Sequence, residues 1–274
     1  MSATLFIVAT PIGNLEDLSP RVRRTLSEVK LIAAEDTRRT GRLLSHIGVG
    51  TPLTALHEHN ESDAVSGLLE RLAAGESLAL VCDAGTPLIS DPGYRLVAAA
   101  RERGVTVTPV PGPSALTAAL SVAGLPTDRF CFEGFLPPKS AARRAALEAL
   151  AHETRTLVFY EAVHRIRATI DDLAEAFGGE RPAFIGRELT KLHEQLANGT
   201  LAELAARLHA GDIPEKGEFV VIVHGGAPAG AGLDADALAR ELAAVLPMRQ
   251  AAAVTAKLAG GRANEIYRRL LDKK

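Results

Sequence analysis

Short apolar runs alternate along the first half of the chain with segments whose apolar positions recur every three or four residues. The runs near 4–9, 30–34, 52–56 and 77–82 predict strands, and the segments near 19–28, 37–47 and 61–73 predict helices between them. That alternation is the βαβ rhythm of a parallel sheet. A helix near 93–103 and a strand at Thr106–Val110 extend it, and Pro111-Gly-Pro113 breaks it before an Ala/Leu-rich helix begins. The second half predicts strands at 129–133, 155–160, 182–188, 193–197 and 217–224, with helices at 139–151, 163–177 and 200–209. Its neighbouring strands read as hairpin partners, so this sheet is expected to be mixed. Residues 225–233, rich in Gly, Ala and Pro, read as a linker, and three short helices follow.

The pattern divides the chain into an α/β domain over 1–113, a second α/β domain with a mixed sheet over 114–225, and a helical extension over 234–274. With 274 residues, 47% of them hydrophobic, it has material for two ordinary cores and an appendage. The first strand-like run, 3–9, is too short for a signal-peptide core or a membrane span, and no basic residue precedes it. A cytoplasmic protein with no membrane partner is expected. Cys82 and Cys131 both lie in apolar strand-like runs, where buried reduced thiols are the expectation and a disulfide framework is excluded. A formal charge of −2 excludes a protein that coats nucleic acid through bulk charge, but permits a local basic face.

Three loops at predicted strand ends carry candidate chemistry. Thr10-Pro-Ile-Gly-Asn-Leu-Glu-Asp17 follows the first strand, where Pro and Gly turn the chain sharply at the edge on which open α/β sheets bind ligands. Leu80-Val-Cys-Asp-Ala-Gly-Thr-Pro-Leu-Ile-Ser-Asp-Pro-Gly93 runs from an apolar strand into a loop whose small residues let a ligand approach the backbone. In that loop Asp83 offers an acceptor for a ribose hydroxyl or an ammonium group. Neither a G-x-G-x-x-G nor a phosphate-cradling G-x-x-x-x-G-K-[ST] pattern occurs. In Val110-Pro-Gly-Pro-Ser-Ala-Leu116, Pro113 suits a first helical turn and Ser114 lies near exposed backbone N–H groups able to bind a carboxylate. Each loop alone also reads as an ordinary βα turn or helix cap.

Together with Ala34-Glu-Asp-Thr-Arg38, Phe132-Glu-Gly-Phe-Leu-Pro-Pro-Lys139, Phe159-Tyr-Glu-Ala-Val-His-Arg165, Arg187-Glu-Leu-Thr-Lys191 and Lys216-Gly-Glu-Phe-Val220, these segments resemble the tetrapyrrole-methylase superfamily, and within it the ribosomal RNA branch. The resemblance covers about residues 3–224, with the C-terminal helices similar to that branch's own extension. It implies a two-domain tetrapyrrole-methylase-like fold of class III, with S-adenosylmethionine (SAM) folded in the cleft between the domains. The acceptor it implies is the ribose 2′-hydroxyl of a cytidine in the decoding region of 16S rRNA, presented as RNA or as the small subunit, and the protein it implies is a homodimer. Carried over to this sequence, the cofactor is expected to touch Pro11, Asp83, Ala84, Gly85, Pro87, Ile89, Ser114 and Ala115, with Leu189 closing the pocket. Tetrapyrrole-directed members open with a Gly-rich loop where this chain has Thr10-Pro-Ile-Gly-Asn, which lowers the case for a tetrapyrrole acceptor. A methyltransferase of the same fold acting on a tetrapyrrole or other small molecule remains the alternative, because fold does not fix acceptor.

Methyl transfer to a 2′-hydroxyl is an in-line displacement that needs collinear atoms and a proton acceptor. Glu133, Glu161, Glu188 and Lys191 lie near predicted strand ends, and Glu188 with Lys191 are the candidates to orient or deprotonate the hydroxyl; a structural ion pair is the competing reading. Arg38, Arg39 and Arg42, then Lys139, Arg143 and Arg144, then His164, Arg165 and Arg167 form basic clusters, read either as rRNA phosphate contacts or as solvated helix faces. His57 and His59 alternate as strand neighbours that share a face, but no third ligand with suitable spacing follows, so no metal is assigned. From Arg249 onward, two amphipathic segments joined at Gly260-Gly261, with Arg262, Arg268, Arg269, Lys273 and Lys274 at the end, have the outline of a helix-turn-helix. A DNA-binding regulator is therefore a rival from another class.

Overall fold

The computed structural model describes residues 3–57, 61–227 and 234–272. Strands β1 (Thr4–Val8), β2 (Leu31–Ala34), β3 (Leu53–Ala55), β4 (Leu78–Val81) and β5 (Thr106–Val110) form an all-parallel sheet in the order β3-β2-β4-β1-β5. β2 and β4 are buried along their whole length, as their unbroken apolar runs require of strands covered on both faces. Helices α1 (Pro20–Glu28) and α2 (Thr37–Ile47) cover one face through Val22, Leu26 and Leu44. Helices α3 (Glu61–Ala73) and α4 (Tyr94–Glu102) cover the other through Leu68, Leu72, Leu96 and Ala100.

This order makes β1 and β4 neighbours whose connections leave in opposite directions, β1 through α1 to β2 and β4 through α4 to β5. Right-handed crossovers in opposite directions put the two helices on opposite faces, and a crevice opens between the strand ends. The segments 10–14 and 82–93 lie there.

The second sheet contains β6 (Phe130–Phe135), β7 (Thr156–Glu161), β8 (Pro182–Arg187), β9 (Gln195–Thr200) and β10 (Phe219–Val223) in the order β6-β7-β10-β8-β9. Only β6 and β7 run parallel, and the remaining pairs are antiparallel. Its back is covered by α6 (Ser140–Leu150), α7 (Ile166–Phe177) and α8 (Leu201–Ala210), which bury Leu147, Ile170, Leu173 and Leu204 against Leu157 and Phe159. Its front packs Val158, Phe184, Val220 and Ile222 on helix α5 (Ala115–Val122) and on Ile12 from the first sheet's crevice. Helices α9 (Ala235–Val245), α10 (Met248–Ala259) and α11 (Ala263–Asp272) form a small bundle with its own core of Ala239, Ala252 and Ile266.

Strands β6 and β9 run two and three residues beyond their expected ends. β9 continues through Asn198 and Gly199 to Thr200, which is also the N-cap of α8 and forms a capping box with Glu203. A side-chain carbon at Gly199 would lie 2.8 Å from the Glu203 carboxylate that closes this box. β6 continues through a register shift between Phe132 and Gly134, with Gly134 at φ +64°. Within the expected linker, Gly225 and Gly226 pack against the α6–β7 connection, and no side chain fits at Gly225 beside the Thr154 carbonyl. The remainder of that stretch, 228–233, lies outside the described residues, as do His59, Lys273 and Lys274.

Candidate active site

The crevice and the front of the second sheet enclose a cavity of about 460 Å³. Its first wall consists of Ile12, Asp83, Ala84, Gly85, Ile89 and Asp91, on the loops after β1 and β4. Ser114 and Ala115, at the start of α5, form its floor. The opposite wall is Tyr160 and Glu161 from β7, Gly186 and Leu189 at the end of β8, and Glu218 and Val220 at the start of β10.

Backbone pairing holds the first wall rigid. Thr10 and Gly85 exchange both N–H···O bonds, at 2.8 and 3.0 Å, so the loops after β1 and β4 are zipped at the crevice. Gly85 adopts φ +84°, and a Cβ there would press on Ile12 at 3.3 Å, so glycine is needed both for the turn and for the close approach. The Thr86 hydroxyl donates to the Pro113 carbonyl at 3.1 Å and ties the β4 loop to the start of α5. From the other side, the Tyr160 hydroxyl accepts the Leu116 N–H at 3.1 Å, capping the first turn of α5 from the second sheet. Among the described residues, the non-glycine residues with left-handed backbone are Leu88, Ser90, Glu188 and Thr190, on two loops at this cleft. Strain of that kind persists only where surrounding structure enforces it, and it concentrates at functional sites.

The charges divide by wall. Asp83 accepts the Asp36 N–H at 3.0 Å and pairs with Arg39 at 3.1 Å, while its own N–H donates to Glu35 at 3.3 Å. Burial pushes the Asp91 carboxyl up to about 6; a hydrogen bond from Cys82 pulls against that, and the Glu35 and Asp83 carboxylates reinforce it. Burial likewise pushes the Cys82 thiol far above its ordinary value, which makes it an inert core group. At the opposite rim the Lys191 ammonium lies 2.7 Å from Glu188 and 2.9 Å from Glu218. Burial alone would raise the Glu188 carboxyl, but hydrogen bonds from Lys191 and from the Glu218 amide hold it below its ordinary value. Burial would lower Lys191, but the two carboxylates hold it above. Lys191 is therefore a cation that holds two carboxylates in place.

The structure sorts the residues singled out in the sequence. Asp83, Ala84, Gly85, Ile89, Ser114, Ala115 and Leu189 line the cleft, whereas Pro11 and Pro87 do not, leaving their neighbours Ile12 and Thr86 facing it. Glu188 and Lys191 stand just behind the rim and reach the cleft through Glu218. Among the expected phosphate contacts, Arg38 is exposed, Arg39 lines the cleft, and Lys139 is exposed at the start of α6. Arg144 is half exposed and engaged with Asp172 and Glu175. Two others need correction. Arg143 is buried and bonded to the equally buried Asp172 at 2.7 Å, because its position on α6 faces α7 instead of solvent. Arg165 turns inward to the buried Glu161 and the Leu136 carbonyl, where it ties the end of β7 to that of β6. Glu35, Asp91, Phe135, Tyr160 and Glu218 lie in segments that the sequence singles out, but sequence reasoning gives none of them a role. Phe135 and Tyr160 lie on strands, and Glu218 just before one, whose pairing the sequence leaves open. Among the described residues no group of three or more His, Cys, Asp or Glu is placed to hold a metal ion, and no helix is long and apolar enough to cross a membrane.

Residues 4–205 match the family described as Tetrapyrrole (Corrin/Porphyrin) Methylases. The chain belongs to that family. Residues 229–274 match a second family, the RsmI C-terminal HTH domain, so the helix-turn-helix outline of the tail accompanies a methylase and not a DNA-binding regulator. Ribosomal RNA small subunit methyltransferase I of Xylella fastidiosa is 55% identical over 269 residues, covering 96% of this chain and 97% of that protein. The protein of the same name from Pseudomonas aeruginosa is 51% identical over 278 residues, covering 100% and 99%. Among solved structures, the methyltransferase CobJ superposes with a TM-score of 0.60 at 20% identity, covering 82% of this chain and 95% of its own, a likeness of fold.

Tetrapyrrole methylases use S-adenosylmethionine as methyl donor, and the cleft's residues fit it. A cavity of about 460 Å³ is of the size that takes one folded nucleoside ligand. The apolar side chains Ile12, Ile89, Leu189 and Val220 can enclose a purine, the small residues at 84, 85, 114 and 115 expose backbone, and the carboxylates of Glu35, Asp83 and Asp91 suit hydroxyls and a cationic centre.

Proposed function

We propose that this methyltransferase acts on the 2′-hydroxyl of a cytidine in the decoding region of 16S rRNA, in the cytoplasm and as a homodimer. The observation that carries this reading is identity above 50% over nearly the whole length, helical extension included, with proteins named ribosomal RNA small subunit methyltransferase I. The fold neighbour CobJ, at 20% identity, spans 82% of the chain. A tetrapyrrole or small-molecule acceptor is correspondingly disfavoured.

Bound in the cleft, S-adenosylmethionine supplies an electrophilic methyl group on a sulfonium centre. The chain's own groups bind, orient and accept a proton. Glu35, Asp83 and Asp91, which line the cleft on the side of the first sheet, would hold the cationic part of the cofactor. At the opposite rim the Glu218 carboxylate, held by Lys191 and by Glu188, which accepts the Glu218 N–H, would orient the acceptor hydroxyl and accept its proton. Arg38, Arg39 and Lys139 meet backbone phosphates, which position the RNA without reading its sequence.

The test is transfer of radiolabelled methyl from SAM to small ribosomal subunits taken from cells that lack this activity, followed by nucleoside analysis. Label in 2′-O-methylcytidine is expected. Label elsewhere, or none with SAM still bound, would move the acceptor to a different molecule.

A further inference from the structure

We propose that Phe135 is the stacking platform for the nucleobase of the acceptor nucleotide, an inference that rests on the RNA reading above. Phe135 lines the cleft yet is 54% exposed, in a chain with eight Phe, three Tyr and no Trp. Exposed apolar side chains occur elsewhere on the surface, Leu192 and Tyr94 among them, but Phe135 is the exposed aromatic ring that lines the cleft, where a ligand can cover it.

The backbone is built to put it there. Along a regular strand successive side chains alternate between faces, so Phe132 and Phe135, three residues apart, belong on opposite sides of the sheet. The register shift between Phe132 and Gly134 inserts one residue: Phe132 pairs with Val158, but Gly134 pairs with Phe159 and Phe135 with Tyr160. Val158 and Tyr160 belong to the front of the sheet, so the bulge turns Phe135 from the α6–α7 side to the cleft. Gly134, at φ +64° and with a Cβ position only 3.2 Å from the Ser90 hydroxyl, permits the bulge where the strained β4 loop touches it.

The ring is also held in place. Tyr160 is fixed by its hydroxyl to the Leu116 amide, and Phe132 meets it edge-on at 4.8 Å. Phe135 meets Tyr160 edge-on at 5.7 Å, so it is the outermost ring of a braced cluster with its exposed side turned outward. A nucleotide that delivers its 2′-hydroxyl into a cleft must leave its neighbours in the RNA stack, and an aromatic face in the protein replaces the stacking it gives up.

The test compares wild type with Phe135→Leu, Phe135→Ala and Phe135→Trp, measuring SAM affinity by calorimetry and methyl transfer to small subunits on the same preparations. Leu keeps the bulk without the π face, and SAM binding reports that each variant is folded. Expected is a fall of about 5- to 150-fold in kcat/KM for RNA in the Leu and Ala variants, the size of one base–aromatic stack. SAM affinity should stay within about twofold of wild type, and Trp should restore activity. Wild-type kcat/KM in the Leu variant overturns the proposal, and so does a matching loss of SAM affinity, which would assign the ring to the cofactor. Wild-type enzyme that binds SAM but labels no ribosomal RNA instead overturns the reading beneath it.

Discussion

Asp91 concentrates the electrostatics of the first wall. Its native-state value of about 6 lies above the ordinary 3.8, so folding favours its protonated form. The stability this gives is complete below about pH 4 and is lost as pH rises through about 6. Asp91→Asn should therefore stabilise the apo protein at pH 8, on the order of 1 kcal/mol once the water that reaches the group is allowed for, and this gain should vanish below pH 4 in denaturant titrations. Cofactor binding should have the opposite sensitivity. A cationic ligand requires the carboxylate, so SAM affinity should fall as pH drops below about 6, approaching tenfold per unit, and Asp91→Asn should flatten the profile. Wild-type affinity that is constant from pH 5 to 8 would remove Asp91 from cofactor binding. At the other rim, Lys191→Met should lower kcat by about 10- to 100-fold with SAM affinity unchanged, because Glu218 loses its anchor; a normal kcat would leave Lys191 with a structural role only. Asp83 to Gly85 and Ser114 were legible in the sequence because small residues and a carboxylate between apolar strand and turn point to a ligand loop. The segments around Tyr160 and Glu218 also stood out, but not their place in the site, since their position opposite that loop follows from β7–β10 pairing across nearly sixty residues of chain.

The elements were more legible than their faces. Apolar runs marked all five strands of each sheet, but a basic pair on α6 looked uniform from its sequence and is not. Arg143 is enclosed with Asp172, whereas Arg144, one position on, is half in solvent. Removing one partner of a buried ion pair leaves the other charge unpaired in low dielectric, so Arg143→Ala should cost about 3–5 kcal/mol in urea denaturation. Arg144→Ala should stay within about 1 kcal/mol. Replacing Arg143 and Asp172 together by Met and Leu should recover most of that stability. Equal effects of the two single variants would mean that the pair is not enclosed in solution. The bulge in β6 was illegible for a related reason: a lone Gly134 marks where a strand can bend but not which way the following side chain turns.

At the scale of the molecule, net charge conceals an asymmetry. Residues 234–274 hold eight Lys and Arg against five Asp and Glu, leaving 23 against 28 in the rest of the chain. The helices of this extension bury Ala239, Ala252 and Ile266 among themselves, while Val245, Leu258 and Leu271 stay exposed, and Asp236–Arg269, at 3.2 Å, staples α9 to α11. Lys257, Arg262 and Arg268 remain exposed on the outside of α10, α11 and the Gly260-Gly261 turn between them. An acidic body that must approach a polyanion gains from a separate cationic module, because each phosphate it neutralises releases condensed counterions. Changing these three residues to Gln in the full chain should reduce the slope of log affinity for small-subunit RNA against log salt by about 0.7–0.9 for each phosphate no longer neutralised, about 2 in all. SAM affinity should not change, since the cleft lies between the two sheets and draws no residue from the extension. An unchanged salt slope would mean that the RNA is held by basic groups outside the extension, such as Arg38, Arg39 and Lys139, and that the extension serves another purpose. A changed slope with unchanged methylation at low salt would assign the extension to capture of the substrate and leave its alignment to the cleft.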